Sequence, residues 1–347
     1  MKKALQALKL FFKIFFLAVL IYAIYNHKLV AYGWAQLKGQ VHILYHAEPI
    51  EKVLADKNFP DSLKAKLKIV NDIRNFAKDS LGLNTSKNYT KIFDQKGKPV
   101  LWVVTGCAPF AMKAYEWEFP FLGAVSYKGF FVEEKGFPEI EKLKRLGYDT
   151  EYHPTGAWST LGWFNDPILS NMLRRSEGQL AELIIHELTH ATLYLPGSVD
   201  YNENFATFVG EQGAIHYLKS KYGLNGEAYT KYLHYQEDEK IYGEYMIQSV
   251  KKLDQVYKNF GTHLTVKEKL RLKYRTVARI MKGIDQLKLH RPQVYSFDFR
   301  KEELPNNTFF MGFYRYRKQQ NEFALIPIKS AKDLKHFVLK HIQGSKD

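Results

Sequence analysis

The first 26 residues have an almost uniformly apolar pattern. An unbroken apolar run covers residues 14–25, and it extends back to Leu10 if the long side chain of Lys13 reaches the membrane interface. The unbroken apolar run, which begins beside the phenylalanines at positions 11, 12, 15 and 16, would cover every face of a helix, and this disfavours a buried amphipathic helix. The pattern predicts a membrane anchor over residues 1–26. A cleaved signal peptide is the alternative, although no small-x-small cleavage site precedes Leu29.

The charges that flank this run predict its orientation. Four lysines, at positions 2, 3, 9 and 13, lie before the apolar run, whereas only His27 and Lys28 directly follow it. Positive residues accumulate on the cytoplasmic side of a membrane span. We therefore expect the N-terminus inside the cytoplasm and the rest of the chain outside it.

From residue 27 onward the period of the apolar positions changes from helical to extended. Residues 32–87 carry helix-like spacing, which predicts a helical start. After the turn signal at 96–99, the sequence predicts strands at 100–105, 123–132 and 148–153, with a helix at 139–146. No linker, repeat or low-complexity segment divides this part, so residues 27–347 are predicted to form one domain with subdomains.

Two consecutive helices follow these strands. Ser176 and Gln179 match a capping box, in which each side chain satisfies a backbone N–H at the start of a helix. This helix is predicted to continue to Leu195, where the Pro-Gly pair at 196–197 stops it. A second helix is predicted over residues 202–222, and the chain beyond it is mainly helical.

Composition adds limits on the class of protein. The 347 residues are 46% hydrophobic and 25% charged, close to the globular average. The single cysteine, Cys107, excludes an intramolecular disulfide and a cysteine-rich metal site, and it lies too late in the chain to be a lipoprotein cysteine.

The net charge of +15 fits nucleic acid, an anionic membrane surface or a solvated basic face. A predicted amphipathic helix after the capping box Thr265–Glu268 carries much of the basic charge on its outer face. Its basic residues are Lys267, Lys269, Arg271, Lys273, Arg275, Arg279 and Lys282. We favour a solvated face, with anionic lipid headgroups as the alternative. We expect no nucleic-acid partner, because no recognised RNA motif, zinc finger or phosphate-binding loop accompanies the helix.

Candidate chemistry is concentrated on the two central helices. The first contains His186-Glu187-Leu188-Thr189-His190, so both imidazoles project from one face of the helix, one turn apart. Glu203 near the start of the second helix is the candidate third ligand, and Glu211 is the fallback. Two histidines and one carboxylate leave a fourth position open, which is typical of catalytic Zn²⁺. Otherwise Glu203 would only favour the helix dipole.

Several segments together resemble a known family. YNENFATF at 201–208 resembles the segment that supplies the third zinc ligand in gluzincin aminopeptidases, with a shorter separation from His190. GAVSYKG at 123–129, AWSTLGWFNDP at 157–167, the HELTH helix and NENFA, in this order, resemble the bacterial putative aminopeptidase family of membrane-associated zinc peptidases. YGWAQLKGQ at 32–40 and PNN at 305–307 match its beginning and end.

The resemblance implies an α+β, zincin-like fold, in which a small mixed sheet packs on an active-site helix pair and the C-terminal part is largely helical. It also implies that His186, His190 and Glu203 hold Zn²⁺, while Glu187 moves a proton from water to the leaving amine. Thr207, one turn after Glu203, is a candidate to orient an imidazole.

Other site residues are less constrained by the sequence. Residues 158–167 form either a sheet edge for an extended peptide or part of the core. Candidates for binding the substrate amine are Asp166 and Glu211, and unranked candidates for the oxyanion are Tyr201, Tyr314 and Tyr316. The histidines predicted not to bind metal are His153, His216, His263 and His290.

The resulting hypothesis is a zinc-dependent aminopeptidase that acts on peptide substrates. Its N-terminal helix would anchor it as a single-pass protein in the bacterial inner membrane, with the catalytic domain outside the cytoplasm. One alternative is a zinc endopeptidase of the cell envelope. Another is a non-catalytic, metal-stabilised interaction protein, although Glu187 disfavours it because a scaffold needs no general base.

Overall fold

A computed structural model describes residues 2–85, 87–119, 123–155, 165–195, 198–317, 323 and 326–344. The chain forms two units, Met1–His46 and Ala47–Asp347. Within the described residues, the α-helices are α1 (Lys2–Tyr25), α2 (His27–His46), α3 (Ile50–Ala55), α4 (Asp61–Asp79), α5 (Phe137–Arg145), α6 (Glu177–His190), α7 (Val199–Tyr222), α8 (Glu227–Lys258), α9 (Val266–Gly283), α10 (Pro292–Tyr295), α11 (Asn307–Arg317) and α12 (Ala331–Gly344). The strands are β1 (Glu48–Pro49), β2 (Lys91–Phe93), β3 (Trp102–Cys107), β4 (Trp117–Phe119), β5 (Gly123–Val125), β6 (Tyr127–Phe130), β7 (Asp149–Pro154) and β8 (Ile168–Leu169).

The first unit consists of helices α1 and α2. The segment Leu8–Tyr25 of α1 is long and apolar enough to cross a membrane, and its described side chains are largely exposed within the unit. A signal sequence satisfies the same test. The predicted N-terminal apolar helix is therefore present.

The second unit has an α+β fold, as predicted, with a largely helical part from α7 onward. Its sheets have the strand orders β1-β2-β8, β6-β3-β7 and β4-β5. The first sheet is mixed, because β2 pairs antiparallel with β1 and parallel with β8. In the second sheet β3 lies between two antiparallel neighbours.

The predicted strand at 123–132 is two strands rather than one. The chain bends at Ser126, where Gly123–Val125 ends and Tyr127–Phe130 begins. The first half pairs with β4 and the second half pairs with β3. The division depends on two different partner strands, which the local sequence pattern does not specify.

Helix α6 begins as predicted but ends earlier. The capping box is present, with Oγ of Ser176 accepting from the Gln179 N–H at 3.3 Å. The prediction that the helix continues to Leu195 is wrong, because α6 ends at His190. The amide group of Asn202 bonds both the N–H and the C=O of Leu195, at 2.9 and 2.8 Å, and so replaces their helical partners. The predicted stop at 196–197 lies outside the described residues.

A buried polar network connects β7 with the C-terminal helices. Lys273 of α9 is 1% exposed, and its ammonium group pairs with Asp149 of β7 and donates to the carbonyl of Pro109 at 3.1 Å. Asp149 also accepts from the N–H of Asn307 at 2.9 Å, and Tyr257 donates to the side-chain oxygen of Asn307 at 2.7 Å. The assignment of Lys273 to the outer basic face of its helix is therefore wrong.

We predict that Lys273→Met strongly destabilises the protein. The substitution leaves the largely buried Asp149 carboxylate without its cation, and breaking such a pair typically costs about 3–5 kcal/mol. The free energy of unfolding of the full chain in detergent, measured with urea, tests this. Lys282→Met, at an exposed position of the same helix, should change it by no more than about 0.5 kcal/mol. Equal losses of unfolding free energy in the two variants would contradict the buried ion pair of Lys273 with Asp149.

Candidate metal centre

Helix α6 places two imidazoles side by side. Its apolar face is buried, including Leu180, Ile184 and Leu188, which fixes the rotation of the helix. His186 and His190 are one turn apart, and their Nε2 atoms lie 3.1 Å from each other. His190 is almost fully buried, and His186 is half-buried.

Helix α7 brings a carboxylate to the same point. Oε2 of Glu203 lies 3.5 Å from Nε2 of His186, and Oε1 lies 3.7 Å from Nε2 of His190. The candidate ligand atoms of the three residues all lie within 4.8 Å of one another. These three residues, the ligand set predicted from the sequence, could hold a metal ion; we call them the His-His-Glu triad. Glu211, the fallback ligand, is not part of this group.

A glycine permits this close approach of the two helices. A Cβ atom on Gly210 of α7 would lie 2.8 Å from the carbonyl oxygen of Glu182 and 3.2 Å from Cβ of His186. Both distances are shorter than ordinary carbon contacts. Any larger residue at position 210 would therefore push α7 away from α6 at the level of the imidazoles.

The electrostatics of the triad suit a cation. Burial opposes the negative charge of Glu203, but hydrogen bonds and charge from His186 and His190 hold the pKa of its carboxyl well below the usual range. Burial also opposes a positive charge on His190, yet Glu203 and Glu187 outweigh this effect and raise the pKa of its imidazole. The carboxylate thus favours positive charge at this point.

The donor set itself passes a chemical test for a metal. Two ring nitrogens face each other beside a carboxylate, which is the N/N/O set that divalent transition metals bind. The buried Nδ1 of His190 has no hydrogen-bond partner among the described residues. Nδ1 of His186 lies 3.5 Å from the hydroxyl of Thr207, the residue expected to orient an imidazole.

The triad and Glu187 line a cavity of about 810 Å³. Helix α6 forms one wall, and the face of β3 and β7 that carries Val103 and His153 forms another. The first residues of α11 also contribute to the lining. A cavity of this size is in the range of small-molecule and peptide sites.

Among the described residues, four side chains with a carboxylate, imidazole or guanidinium group line this cavity without being part of the predicted site: Glu151 and His153 of β7, Arg175 just before α6, and Glu182 of α6. Their positions follow simple periods. Glu151 and His153 are two residues apart on one face of a strand, and Glu182 lies one turn before His186. The sequence could have identified these residues if the faces of β7 and α6 that line the cavity had been known.

The partners of these charges differ. Oε2 of Glu151 accepts from the hydroxyl of Thr308 at 3.2 Å, and Oε2 of Glu182 accepts from Tyr232 at 2.9 Å. Burial lowers the pKa of Arg175, and the nearby Tyr235 and Glu182 oppose this only in part. The cavity therefore contains both signs of charge beyond the triad.

Several residues predicted to bind substrate do not line this cavity. Asp166 is 3% exposed, and its backbone bonds Asn88 and Tyr89. Glu211 is also absent from the described lining, and so are Tyr201 and Tyr314. The side chain of Tyr316 and most of the predicted peptide-binding segment at 158–167 lie outside the described residues.

Other tyrosines lie near the site. Tyr127 and Tyr235 line the cavity. Tyr89 is fully buried near Glu187; burial raises the pKa of its phenol, and the charges of Glu187 and Asp166 raise it further. None of the three has a local sequence signal that separates it from the other tyrosines of the chain.

The four histidines predicted not to bind metal lie outside the triad. His290 pairs with Glu237 at 2.6 Å and stacks on His234 with ring centroids 3.9 Å apart. The remaining three are His153, His216 and His263.

Comparison with known proteins places the chain in a family. The sequence model of the putative aminopeptidase family matches residues 31–344, so the chain belongs to that family. A comparison with curated proteins and one with solved structures gave no match. Family membership supports a peptidase-like function in general terms, without specifying the metal or the substrate.

We predict that Gly210→Ala destabilises the helix pair. The added methyl group meets backbone and Cβ atoms that cannot rotate away, and such overpacking typically costs about 1–3 kcal/mol. Thermal unfolding of the full chain measures the loss. Gly33→Ala is the control, because a Cβ at that helical glycine meets nothing within 4 Å. Unfolding of Gly210→Ala at the wild-type temperature would show that α6 and α7 are not closely packed in solution.

Proposed function

We propose that this protein is a membrane-anchored, zinc-dependent aminopeptidase. One observation carries the proposal: the His-His-Glu triad converges beside Glu187 in a cavity large enough for a short peptide. Membership of the putative aminopeptidase family supports it independently.

Zn²⁺ is the metal that this donor set favours. Catalytic zinc sites typically use three protein ligands, and His186, His190 and Glu203 offer two imidazoles and one carboxylate. When bound, zinc would supply Lewis acidity, which makes water more acidic and polarises a carbonyl group. Thr207 is suited to hold the ring of His186 through its Nδ1 atom.

Glu187 is the residue proposed to move the proton. It lies between the two histidines in sequence and lines the same cavity. Its carboxylate takes one proton from the attacking water as the oxygen adds to the scissile carbonyl carbon. The same carboxyl group gives this proton to the amide nitrogen as the C–N bond breaks, so a free amine leaves and a carboxylic acid remains.

The N-terminal helix gives the proposal its cellular setting. The segment Leu8–Tyr25 is sufficient in length and apolar character for a span, and the lysines before it favour a cytoplasmic N-terminus. We propose that α1 stays attached and holds the catalytic unit outside the cytoplasm, at the bacterial inner membrane. Its substrates would then be peptides in that compartment.

Zinc binding is expected to depend on the triad and not on Glu211. Glu203→Gln and His190→Ala should weaken zinc binding by more than the roughly 10–100-fold that loss of a merely supporting group costs. Competition with a chromophoric chelator measures the affinity. Glu211→Gln, on the same helix as Glu203, should bind zinc as the wild type does. If Glu211→Gln lost zinc affinity and Glu203→Gln did not, Glu211 rather than Glu203 would be the third ligand.

Cleavage of peptides with free and acetylated N-termini tests the activity. The zinc-loaded full chain should remove single N-terminal residues only from the free-amine peptides. Glu187→Gln should bind zinc normally yet lose about 10²–10⁴-fold in turnover, because it cannot carry the proton. Internal cuts in both sets of peptides would indicate an endopeptidase. Folded, zinc-loaded protein without Glu187-dependent cleavage would indicate a non-catalytic metal-stabilised protein.

A further inference from the structure

Glu151 is a carboxylate that faces the cavity without a cation. It is paired with Thr105 across the sheet, and both residues line the cavity with His153. Its described hydrogen bond comes from the neutral hydroxyl of Thr308, at 3.2 Å. Within the described residues, no Lys, Arg or His lies within 4.0 Å of its oxygens. A carboxylate has about four acceptor positions, so most of its capacity is available to a ligand.

Among the described residues that line the cavity, Glu182 is the other carboxylate outside the triad and Glu187, and it is less suited to bind a ligand cation. Its Oε2 atom accepts from both Tyr232 and Gln236, at 2.9 and 3.1 Å. It also lies close enough to Arg175 for the two charges to interact. Glu151 is therefore the better site for a positively charged group of a substrate.

Arg175 is the complementary group, a cavity-lining cation without an anion. Its guanidinium is half-buried, and none of its N–H groups donates to an acceptor among the described residues. The charges of Glu182 and Tyr235 act on it without forming an ion pair. A guanidinium has five donors in a planar fork that matches a carboxylate.

Arg175 lies beside the start of α6, so the distance from the start of α6 to His186 gives the approximate length of a ligand that reaches from Arg175 to the triad. Arg175 comes two residues before the first residue of α6, and His186 comes nine residues after that first residue. At 1.5 Å per residue these nine positions span about 13.5 Å along the helix. An extended peptide advances about 3.4 Å per residue, so roughly four residues cover the distance, and fewer if the long arginine side chain turns towards the triad.

We propose that the cavity binds short, unblocked peptides by both ends, with Glu151 binding the α-ammonium group and Arg175 binding the α-carboxylate. The substrate class is then peptides of about three to five residues with free termini. This inference rests on the proposed aminopeptidase function, because a free amine near the triad has a role only if the first peptide bond is cut. It goes beyond that function in naming the two ends and the length.

Binding measured separately from cleavage tests this inference. Four tetra-alanine peptides serve as probes: both ends free, N-acetylated, C-amidated, and blocked at both ends. Their affinities for the zinc-loaded full chain are measured by calorimetry in the Glu187→Gln background, so that the peptides stay intact. Each block alone should weaken binding by about 10–100-fold, the effect of losing a hydrogen bond between charged groups.

Substitutions on the protein side complete the cycle. Glu151→Gln should weaken binding of the free-amine peptides about as much as acetylation does, and it should not weaken the acetylated peptides further. Arg175→Gln should behave in the same way towards amidation. The controls are Glu118→Gln, on an exposed strand position, and Arg174→Gln, the exposed neighbour of Arg175. Circular dichroism and zinc stoichiometry verify the fold of every variant.

The outcomes separate this inference from the proposed function. If each substitution weakens blocked and free peptides equally, or if octa-alanine binds as tightly as tetra-alanine, the two-ended recognition is wrong even when the wild type is an aminopeptidase. If the substitutions and the blocks are coupled as expected while the wild type cleaves nothing, the recognition stands and the proposed activity fails. Should a variant not fold, the effects of the two blocks on the Glu187→Gln protein still decide the matter.

Discussion

The candidate site depends on the distance between helices α6 and α7. One helix supplies both imidazoles and the other supplies the carboxylate, so the triad exists only where the two backbones approach closely. Gly210 permits that approach, because it presents no side chain to the backbone of α6 beside His186. The favourable charge interactions of Glu203 with His186 and His190 are then a consequence of backbone packing. The geometry of the site is set by the absence of one methyl group.

The central motif could be identified from the sequence because its information is local. Two histidines four residues apart on a helix share a face whatever the rest of the fold, and Ser176 with Gln179 fixes where that helix begins. Glu203 followed from the need for a third ligand on the next helix. The same local reasoning located the segments of β3, β5, β6 and β7, whereas β1, β2, β4 and β8 were not predicted.

The failures involve contacts between elements that a local sequence pattern does not show. Helix α6 ends at His190 because Asn202, from the following helix, binds the backbone of Leu195. Lys273 is buried because its ammonium group pairs with Asp149, from a strand over a hundred residues earlier. Glu151 and Arg175 could not be chosen as cavity residues for the same reason: a strand pattern shows which residues share a face but not what that face meets.

The alternation of side chains along β7 links folding accuracy to recognition. Asp149 and Glu151 occupy the same face of the strand, and consecutive residues of α11, Asn307 and Thr308, bond to them in turn. A slip of one residue in the pairing of β7 with β3 would move both carboxylates to the opposite face. Such a slip would leave Lys273 buried without its anion, which lowers the stability of the misregistered fold. A chain with the wrong β7 register, and therefore with Glu151 outside the cavity, is thus disfavoured. The buried ion pair thus favours the correct register of the strand that carries Glu151.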